Sequence, residues 1–275
     1  MVRAAAQAAE EAGFSTFWTN DHVVLFSDYP RSHYPYPSMF TAPDPRLPLA
    51  DPIVAMTWAA AVTSRIEIGS SILILPQRNP VVLAKELATL DAFSGGRLVL
   101  GAGLGWSREE YEAIGADYPN RARLMDEHIA AMRALWREDA SSFEGETIRF
   151  EQAYLYPKPV RKDVPILIGG ESEGAMRRVA ALADGWLPLR LPVDEAAGQI
   201  ARVKQLTREA GRDPEQLRIV ASVNAATSSD DLEHYRNAGV TEFVHASYGE
   251  FELEPAVLRA GIARLGAMVE RVGRL

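Results

Sequence analysis

Three short apolar runs, each ending in polar residues or glycines, decide the fold: TFWTNDH at residues 16–22, LVLGAGLGW at residues 98–106 and PILIGGES at residues 165–172. Short apolar runs with such boundaries are typical of buried β-strands. When parallel strands close into an α/β barrel, their carboxyl ends all open on one rim. The sequence therefore predicts that these three tips converge on a single site.

Helix-patterned and strand-patterned runs alternate along the whole chain. The predicted strands are 15–20, 65–75, 97–102, 165–169, 185–189, 217–223 and 240–247, and the predicted helices are 2–12, 52–63, 80–93, 107–114, 121–138, 173–183, 194–211, 229–238 and 255–271. This alternation predicts a parallel sheet with helical crossovers, and we expect a (β/α)8 TIM barrel as a single domain over residues 1–275. Because only seven strands are found and the chain opens on a helix, we expect the first strand to be missing, with two strand edges unpaired unless another segment fills the gap.

Two insertions interrupt the alternation. Residues 22–51 are rich in proline and tyrosine, which favours an ordered, extended excursion that can cover the barrel mouth. Residues 139–164 contain an alternating pattern around Gly145, which predicts a β-hairpin.

Composition narrows the functional classes. The chain has 275 residues, 47% of them hydrophobic, which fits one large domain, although length alone also allows two. The absence of cysteine excludes disulfides, thiol chemistry and cysteine-bound zinc, and suits a reducing compartment. A net charge of −8 argues against nucleic acid as the main partner. No apolar run approaches the roughly 20 residues of a membrane helix, so we expect a cytoplasmic protein with no membrane partner.

The glycine run at residues 101–105 invites comparison with a dinucleotide fingerprint. The G-x-G-x-x-G pattern requires its last glycine at position 106, where the chain has Trp106, so a Rossmann site is disfavoured. Glycines at the end of a barrel strand can instead let a planar ring approach the backbone, with Trp106 as a wall. A merely tight turn stays open as the alternative.

The third tip predicts an anion site. Gly169-Gly170 lead into a predicted helix, whose free amides and dipole attract a phosphate that Ser172 could also bind. The alternative is that Ser172 is an ordinary N-cap and that Glu173 already satisfies the dipole.

The first tip carries Asp21-His22. Histidine exchanges protons near neutral pH, although a single histidine is more often structural, and the neighbouring carboxylate need not contact it.

Ser70-Ser71 lie inside a strand pattern, where buried hydroxyls need partners that a cofactor could supply; a bulge at Gly69 is the alternative. For Glu109-Glu110 we expect structural ion pairs more than chemistry. No metalloprotease, esterase or P-loop motif is present, and we expect no metal site.

Taken together and in order, several segments strongly resemble the luciferase-like monooxygenase superfamily, and most closely its deazaflavin (coenzyme F420)-dependent oxidoreductases. They are Asp21-His22-Val23-Val24, residues 76–80, 84–86 and 88–91, Ser94-Gly95-Gly96-Arg97, residues 101–106, Glu110-Tyr111, residues 134–136 and Ile168-Gly169-Gly170. The resemblance runs from residue 2 to about residue 190.

The resemblance implies a barrel that binds a flavin or deazaflavin at its carboxyl-terminal rim. It implies a phosphate site at residues 169–172, a position behind the ring for Ser70 and Ser71, a non-proline cis peptide joining Ser71 to Ile72, and a ring edge at residues 103–106. The expected cofactor-binding residues are Asp21, Ser70, Ser71, Gly103, Gly105, Trp106, Gly169, Gly170, Glu171 and Ser172.

The resemblance also implies hydride transfer between F420 and a small organic substrate, with His22 near the reactive ring carbon as the catalytic residue. Trp106, Tyr34 and Tyr36 are expected to form the substrate wall. The resemblance implies a glutamate directly after the glycine run in the sugar-phosphate dehydrogenases of this family, where this chain has Trp106. The alternatives are an FMN-dependent monooxygenase and a non-catalytic flavin-binding barrel, and a homodimer is possible.

Overall fold

The computed structural model describes residues 1–34, 43–224, 226–245 and 255–273. Its helices are α1 (Val2–Glu11), α2 (Pro52–Val62), α3 (Pro80–Ser94), α4 (Arg108–Ala113), α5 (Arg121–Arg137), α6 (Glu173–Leu182), α7 (Val193–Glu209), α8 (Ser229–Ala238) and α9 (Pro255–Gly273). Its strands are β1 (Thr16–Thr19), β2 (Glu67–Ser70), β3 (Leu73–Ile74), β4 (Leu98–Gly103), β5 (Ser141–Glu144), β6 (Arg149–Ala153), β7 (Ile166–Gly169), β8 (Gly185–Leu187), β9 (Arg218–Val223) and β10 (Glu242–His245).

The main sheet is parallel and follows the order β1-β2-β4-β7-β8-β9-β10, with β3 also paired to β4. All pairings within it are parallel, so the carboxyl ends of its strands share one side. This is the arrangement of a (β/α)8 barrel, and the described residues supply seven of its strands in the predicted order. Within the described residues, β1 pairs only with β2 and β10 only with β9.

An ion-pair cluster shows that the sheet curls into a barrel. Arg218 at the start of β9 donates to Glu67 of β2 at 2.8 Å and to Glu242 of β10 at 2.6 Å. In a flat sheet β2 and β9 would lie four strands apart, roughly 19 Å at the usual spacing, which the two side chains cannot span. The sheet must therefore bend back on itself for this contact to form.

Local sequence explains where the helices that flank the site begin and end. The Asp51 side chain caps α2 by accepting from Val54 N, and Asn79 caps α3, whose first residue is Pro80. Helix α3 ends at Gly95, which takes the left-handed conformation with φ of 74°. The core fills the space between these helices and the sheet, with β4 buried along its full length.

One predicted element is divided in the structure, and another is found as predicted. The predicted strand 65–75 is divided into β2 and β3, and between them the Ser71-Ile72 peptide is cis, as the family resemblance implied. The predicted hairpin in 139–164 is confirmed, since β5 and β6 pair antiparallel.

No helix in the described part of the chain is long and apolar enough to span a membrane.

Helix α1 is tied to the sheet by one carboxylate. Glu10 accepts hydrogen bonds from the backbone N–H groups of Ser64, Arg65 and Ile66, directly before β2. Partial burial raises the pKa of Glu10, but these three hydrogen bonds outweigh it and lower the pKa from 4.5 to about 2.

We expect Glu10→Gln to lower the free energy of unfolding at pH 7 by about 1–2 kcal/mol, after allowance for solvent screening. Because the folded-state pKa is depressed, this stabilisation is complete above pH 4.5 and is lost as the pH falls towards 2. Urea unfolding at several pH values should show the wild-type and Glu10→Gln curves converging across that window. A difference that persists unchanged at pH 2 would contradict the assignment.

Candidate functional site

A cavity of about 700 Å³ opens at the carboxyl ends of the strands. It is lined by Asn20, Asp21, His22, Tyr34, Pro43, Asp44, Leu47, Leu49, Ser71, Ile72, Ile74, Gly103, Leu104, Gly105, Trp106, Met125, Ile168, Gly169, Gly170, Ser172, Ala175, Arg178, Leu187, Pro188, Leu189 and Ser222. This volume is typical of small-molecule sites. The three sequence tips therefore do converge on one hollow.

His22 is held by a buried carboxylate on α4. Glu110 is fully buried, and its Oε2 lies 3.0 Å from His22 Nδ1 while its other oxygen accepts from Val23 N–H. Because a carboxylate only accepts hydrogen bonds, Nδ1–H is the donor in this hydrogen bond and Glu110 is the acceptor. This leaves His22 Nε2 as the ring nitrogen for a ligand in the cavity, where it can accept or donate a proton.

An aromatic cluster surrounds Trp106. The rings of Tyr29, Tyr34 and His22 have centroids 4.5, 5.0 and 6.0 Å from the Trp106 ring. These contacts fix Trp106 as a rigid wall beside the histidine.

Asp21 lines the cavity, but its oxygens are already occupied. It accepts from Ile74 N–H at 2.9 Å and from the Arg78 guanidinium at 3.1 Å. Burial raises the pKa of Asp21, while Arg78 opposes that rise. Arg78 also binds Asp51 at 3.0 Å, so Asp21 anchors the tip of β1 to β3 and to the start of α2.

The glycines at the end of β4 line the cavity and also leave room for neighbouring side chains of the protein. A Cβ atom at Gly103 would lie 2.2 Å from the Ile72 side chain, and one at Gly105 would lie 2.7 Å from that of Ile74. The space over these glycines therefore accommodates two isoleucines of the protein. Ile72 and Ile74 line the cavity beside these glycines.

The turn after β7 leads directly into α6. Gly170 adopts a left-handed φ of 99°, and its carbonyl accepts from Trp186 Nε1 at 2.8 Å. Ser172 caps α6 by accepting from Ala175 N–H, as the alternative interpretation of this segment predicted. Arg178, one turn further along α6, also lines the cavity and is ion-paired with Asp126. A helix N-terminus and a guanidinium thus face the same end of the cavity.

Of the predicted site residues that the structure describes, all but Ser70 and Glu171 line this cavity. Ser70 does not line the cavity: it is fully buried and its hydroxyl donates to Gly101 O at 2.8 Å, so it needs no cofactor as partner. Glu171 does not line it either, and its carboxylate accepts from Arg190 N–H. Tyr36 lies outside the described residues.

Sequence reasoning missed the roles of Glu110 and Arg178. Glu110 was expected to form a structural ion pair, whereas it positions His22 across 88 residues of chain. The capping serine Ser107, which fixes the start of α4, was the available signal for a defined carboxylate position after Trp106. Nothing local to Arg178 distinguishes it from Arg177 beside it, since only the helix phase turns one of them towards the cavity.

The family model for luciferase-like monooxygenases matches residues 1–268. The chain belongs to this family.

Several proteins are similar in sequence to this luciferase-like chain over long stretches. An uncharacterised protein of Mycobacterium bovis is 33% identical over 243 residues, covering 87% of this chain and 84% of that protein. The F420-dependent glucose-6-phosphate dehydrogenase of Kineococcus radiotolerans is 32% identical over 65% of this chain and 49% of its own length. The FMNH2-dependent dimethylsulfone monooxygenase of Pseudomonas putida is 30% identical over 67% of this chain and 50% of its own length.

The fold is also shared with solved structures. An F420-dependent secondary alcohol dehydrogenase, solved with an F420-acetone adduct, matches with a TM-score of 0.76 at 18% identity, covering 98% of this chain and 94% of that chain. At this identity the likeness concerns the fold.

The two partners of Arg78 provide a test of what holds the rim of this luciferase-like barrel. The Asp21 side chain is 1% exposed and the Asp51 side chain is 45% exposed. We expect Asp21→Asn to lower the free energy of unfolding by about 2–3 kcal/mol, because Arg78 loses its buried partner. Asp51→Asn should cost less than about 1 kcal/mol, since the pair is exposed and asparagine also caps helices. Equal losses in chemical denaturation would contradict this assignment.

Proposed function

We propose that the protein is an F420-dependent oxidoreductase that moves a hydride between the deazaflavin and a small organic substrate. One observation carries the proposal: His22, Trp106 and the pair Gly170 and Ser172, from three separate parts of the chain, line the same cavity. The similarity to F420-dependent relatives supports it.

The residues present fit such a cofactor. Ile72, Ile168 and Leu187 offer apolar walls for a planar ring. The amides at the start of α6 and the Arg178 guanidinium suit an anionic tail. In the sheet order, β7 is separated from β1 by β2 and β4, so the anion-binding end and the His22 end lie apart along the cavity.

A bound deazaflavin would supply the hydride chemistry, and the protein would supply orientation and a proton carrier. His22 Nε2 would take or give the proton that accompanies hydride transfer at a substrate oxygen. Glu110, bound to Nδ1, fixes the tautomer that makes this exchange possible and stabilises the protonated ring. Trp106 and Tyr34 would form the substrate wall, and Tyr36 stays a prediction for the same wall.

An FMN-dependent monooxygenase is the second candidate, favoured by the relative that uses FMNH2. A phosphate-bearing flavin suits the same α6 end of the cavity. The two candidates differ in the cofactor that the cavity prefers. A cytoplasmic location remains part of the proposal, on the basis of the cysteine-free composition.

Cofactor preference is tested by titrating the purified protein with F420 and with FMN in parallel, with cofactor fluorescence as the readout. We expect F420 to bind at least about tenfold more tightly, a difference of about 1.4 kcal/mol. Tighter binding of FMN would favour the monooxygenase, and failure of both cofactors to bind would contradict the proposal.

Arg178→Met should weaken F420 binding by about tenfold, because the anionic tail loses its guanidinium partner.

The roles of His22 and Glu110 are tested together. We expect His22→Ala to lower turnover about 100-fold or more while F420 affinity changes only a few-fold. Glu110→Gln should lower turnover by about 10–100-fold, because the histidine loses the acceptor that fixes its tautomer.

Glu109→Gln is the matched control. Glu109 is also buried, but it accepts from Arg31 N–H and from the Ser32 hydroxyl and has no described contact with His22. The Glu109→Gln substitution should therefore leave turnover nearly unchanged. Equal effects of Glu109→Gln and Glu110→Gln on turnover would contradict the proposed positioning of His22 by Glu110. Unchanged turnover in His22→Ala would contradict the proposed role of His22 as proton carrier.

A further inference from the structure

We infer that the His22 end of the cavity accepts an uncharged, largely apolar substrate and excludes phosphorylated and carboxylated ones. This inference rests on the proposed function in taking the His22 end as the substrate position. It separates this chain from its relative that oxidises glucose 6-phosphate, even though that relative is 32% identical to it.

The wall beside His22 is apolar. Tyr34, Trp106, Leu47 and Leu49 all line the cavity. A smaller neighbouring cavity shares Tyr34 and Trp106 with it, together with Pro43 and Asp44, which places residues 43–44 next to the aromatic cluster. A ligand here can bury apolar surface against these side chains, and its polar partners in the lining are His22, Asn20 and Asp44.

Cations that could bind an anion are absent from this end within the described residues. Among the described residues, Arg178 is the one lysine or arginine that lines the cavity; it lies on α6, away from the His22 end, and already pairs with Asp126. Arg46 and Arg190 adjoin lining residues in the chain, but both are exposed and neither belongs to the lining.

The nearest remaining guanidinium groups are engaged elsewhere. Arg78 is shared between Asp21 and Asp51, and both Arg31 and Arg108 pair with Glu112. Residues 35–42 and 246–254, which the structure does not describe, contain no lysine, arginine or histidine in their sequence.

Negative charge, by contrast, is concentrated at this end. Asp44 lines the cavity, and Glu110 and Glu109 lie buried on α4 behind Trp106 and His22. Burial raises the pKa of Glu109, but the Ser32 hydroxyl and the Arg31 N–H outweigh it and lower that pKa, so Glu109 is ionised at neutral pH. An anionic group placed here would lose its hydration, gain no cationic partner and face like charges.

A matched pair of ligands tests the inference by binding alone. Methyl 4-oxocyclohexanecarboxylate and 4-oxocyclohexanecarboxylate share one ring and one ketone and differ chiefly in charge. Titration calorimetry with the F420-loaded protein should show saturable binding of the ester and binding of the carboxylate weaker by on the order of 100-fold or more. Glucose 6-phosphate should bind no better than the carboxylate. Comparable affinity for ester and carboxylate, no binding of the ester, or tight binding of glucose 6-phosphate would overturn the inference.

A charge inserted into the wall should reverse the preference. Leu47 lines the cavity and is 41% exposed, so a long side chain is accommodated at that position. We expect Leu47→Lys to bind the carboxylate at least about tenfold more tightly than the wild type does. Leu47→Met is the uncharged control and should retain the wild-type preference. A carboxylate affinity that is the same in both variants would contradict the electrostatic explanation.

The outcome is separable from failure of the proposed function. If F420 does not bind, the same pair of ligands is measured on the protein without cofactor, where the lining residues and their charges are the same. Preference for the ester would then uphold the inferred ligand class while the cofactor assignment fails. Preference for the carboxylate in the F420-bound protein would overturn the ligand class alone.

Discussion

The parallel pairing of β1, β2, β4 and β7 is the constraint on which the site depends. Each strand is short, and none of them carries a complete set of functional groups. Their shared direction places the carboxyl end of every strand on one rim, where residues 21–22, 71–72, 103–106 and 169–172 meet. The curl of the sheet, shown by the contact of Arg218 with Glu67, brings the later strands round to complete the cavity wall.

Two buried carboxylates make this rim rigid. As whole residues, Asp21 and Glu110 are 5% and 0% exposed, and burying a charge is costly unless hydrogen bonds satisfy it. Each receives a backbone N–H and a side-chain partner, namely Ile74 N–H and Arg78 for Asp21, and Val23 N–H and His22 for Glu110. The two adjacent residues Asp21 and His22 therefore bind different partners. Asp21 binds Ile74 N–H and Arg78, whereas His22 binds Glu110 and also lines the cavity. This division gives His22 a defined orientation without a contact to its own neighbour.

The sequence predicts the barrel and the identity of most rim residues because these depend on local patterns. Alternating runs and glycine stops mark the strands, and strand direction alone brings the tips of 16–22, 98–106 and 165–172 together. Long-range pairing is what local patterns do not contain. The Glu110–His22 contact, the engagement of Ser70 with Gly101 and the isoleucines that fill the space over Gly103 and Gly105 all depend on side-chain packing between elements that are distant in the chain. The family resemblance, by contrast, correctly implied the cis peptide at Ser71-Ile72.

We propose that a deazaflavin would lie in the cavity with its phosphate at the α6 end and that His22 would carry the proton, with an apolar wall beside them. The most direct test is a crystal structure of the protein with F420 bound. We expect the deazaflavin ring inside the cavity against Ile72, within reach of His22, with its phosphate at the start of α6 near Gly170 and Ser172. A ring bound outside this cavity, or a phosphate directed away from α6, would contradict it.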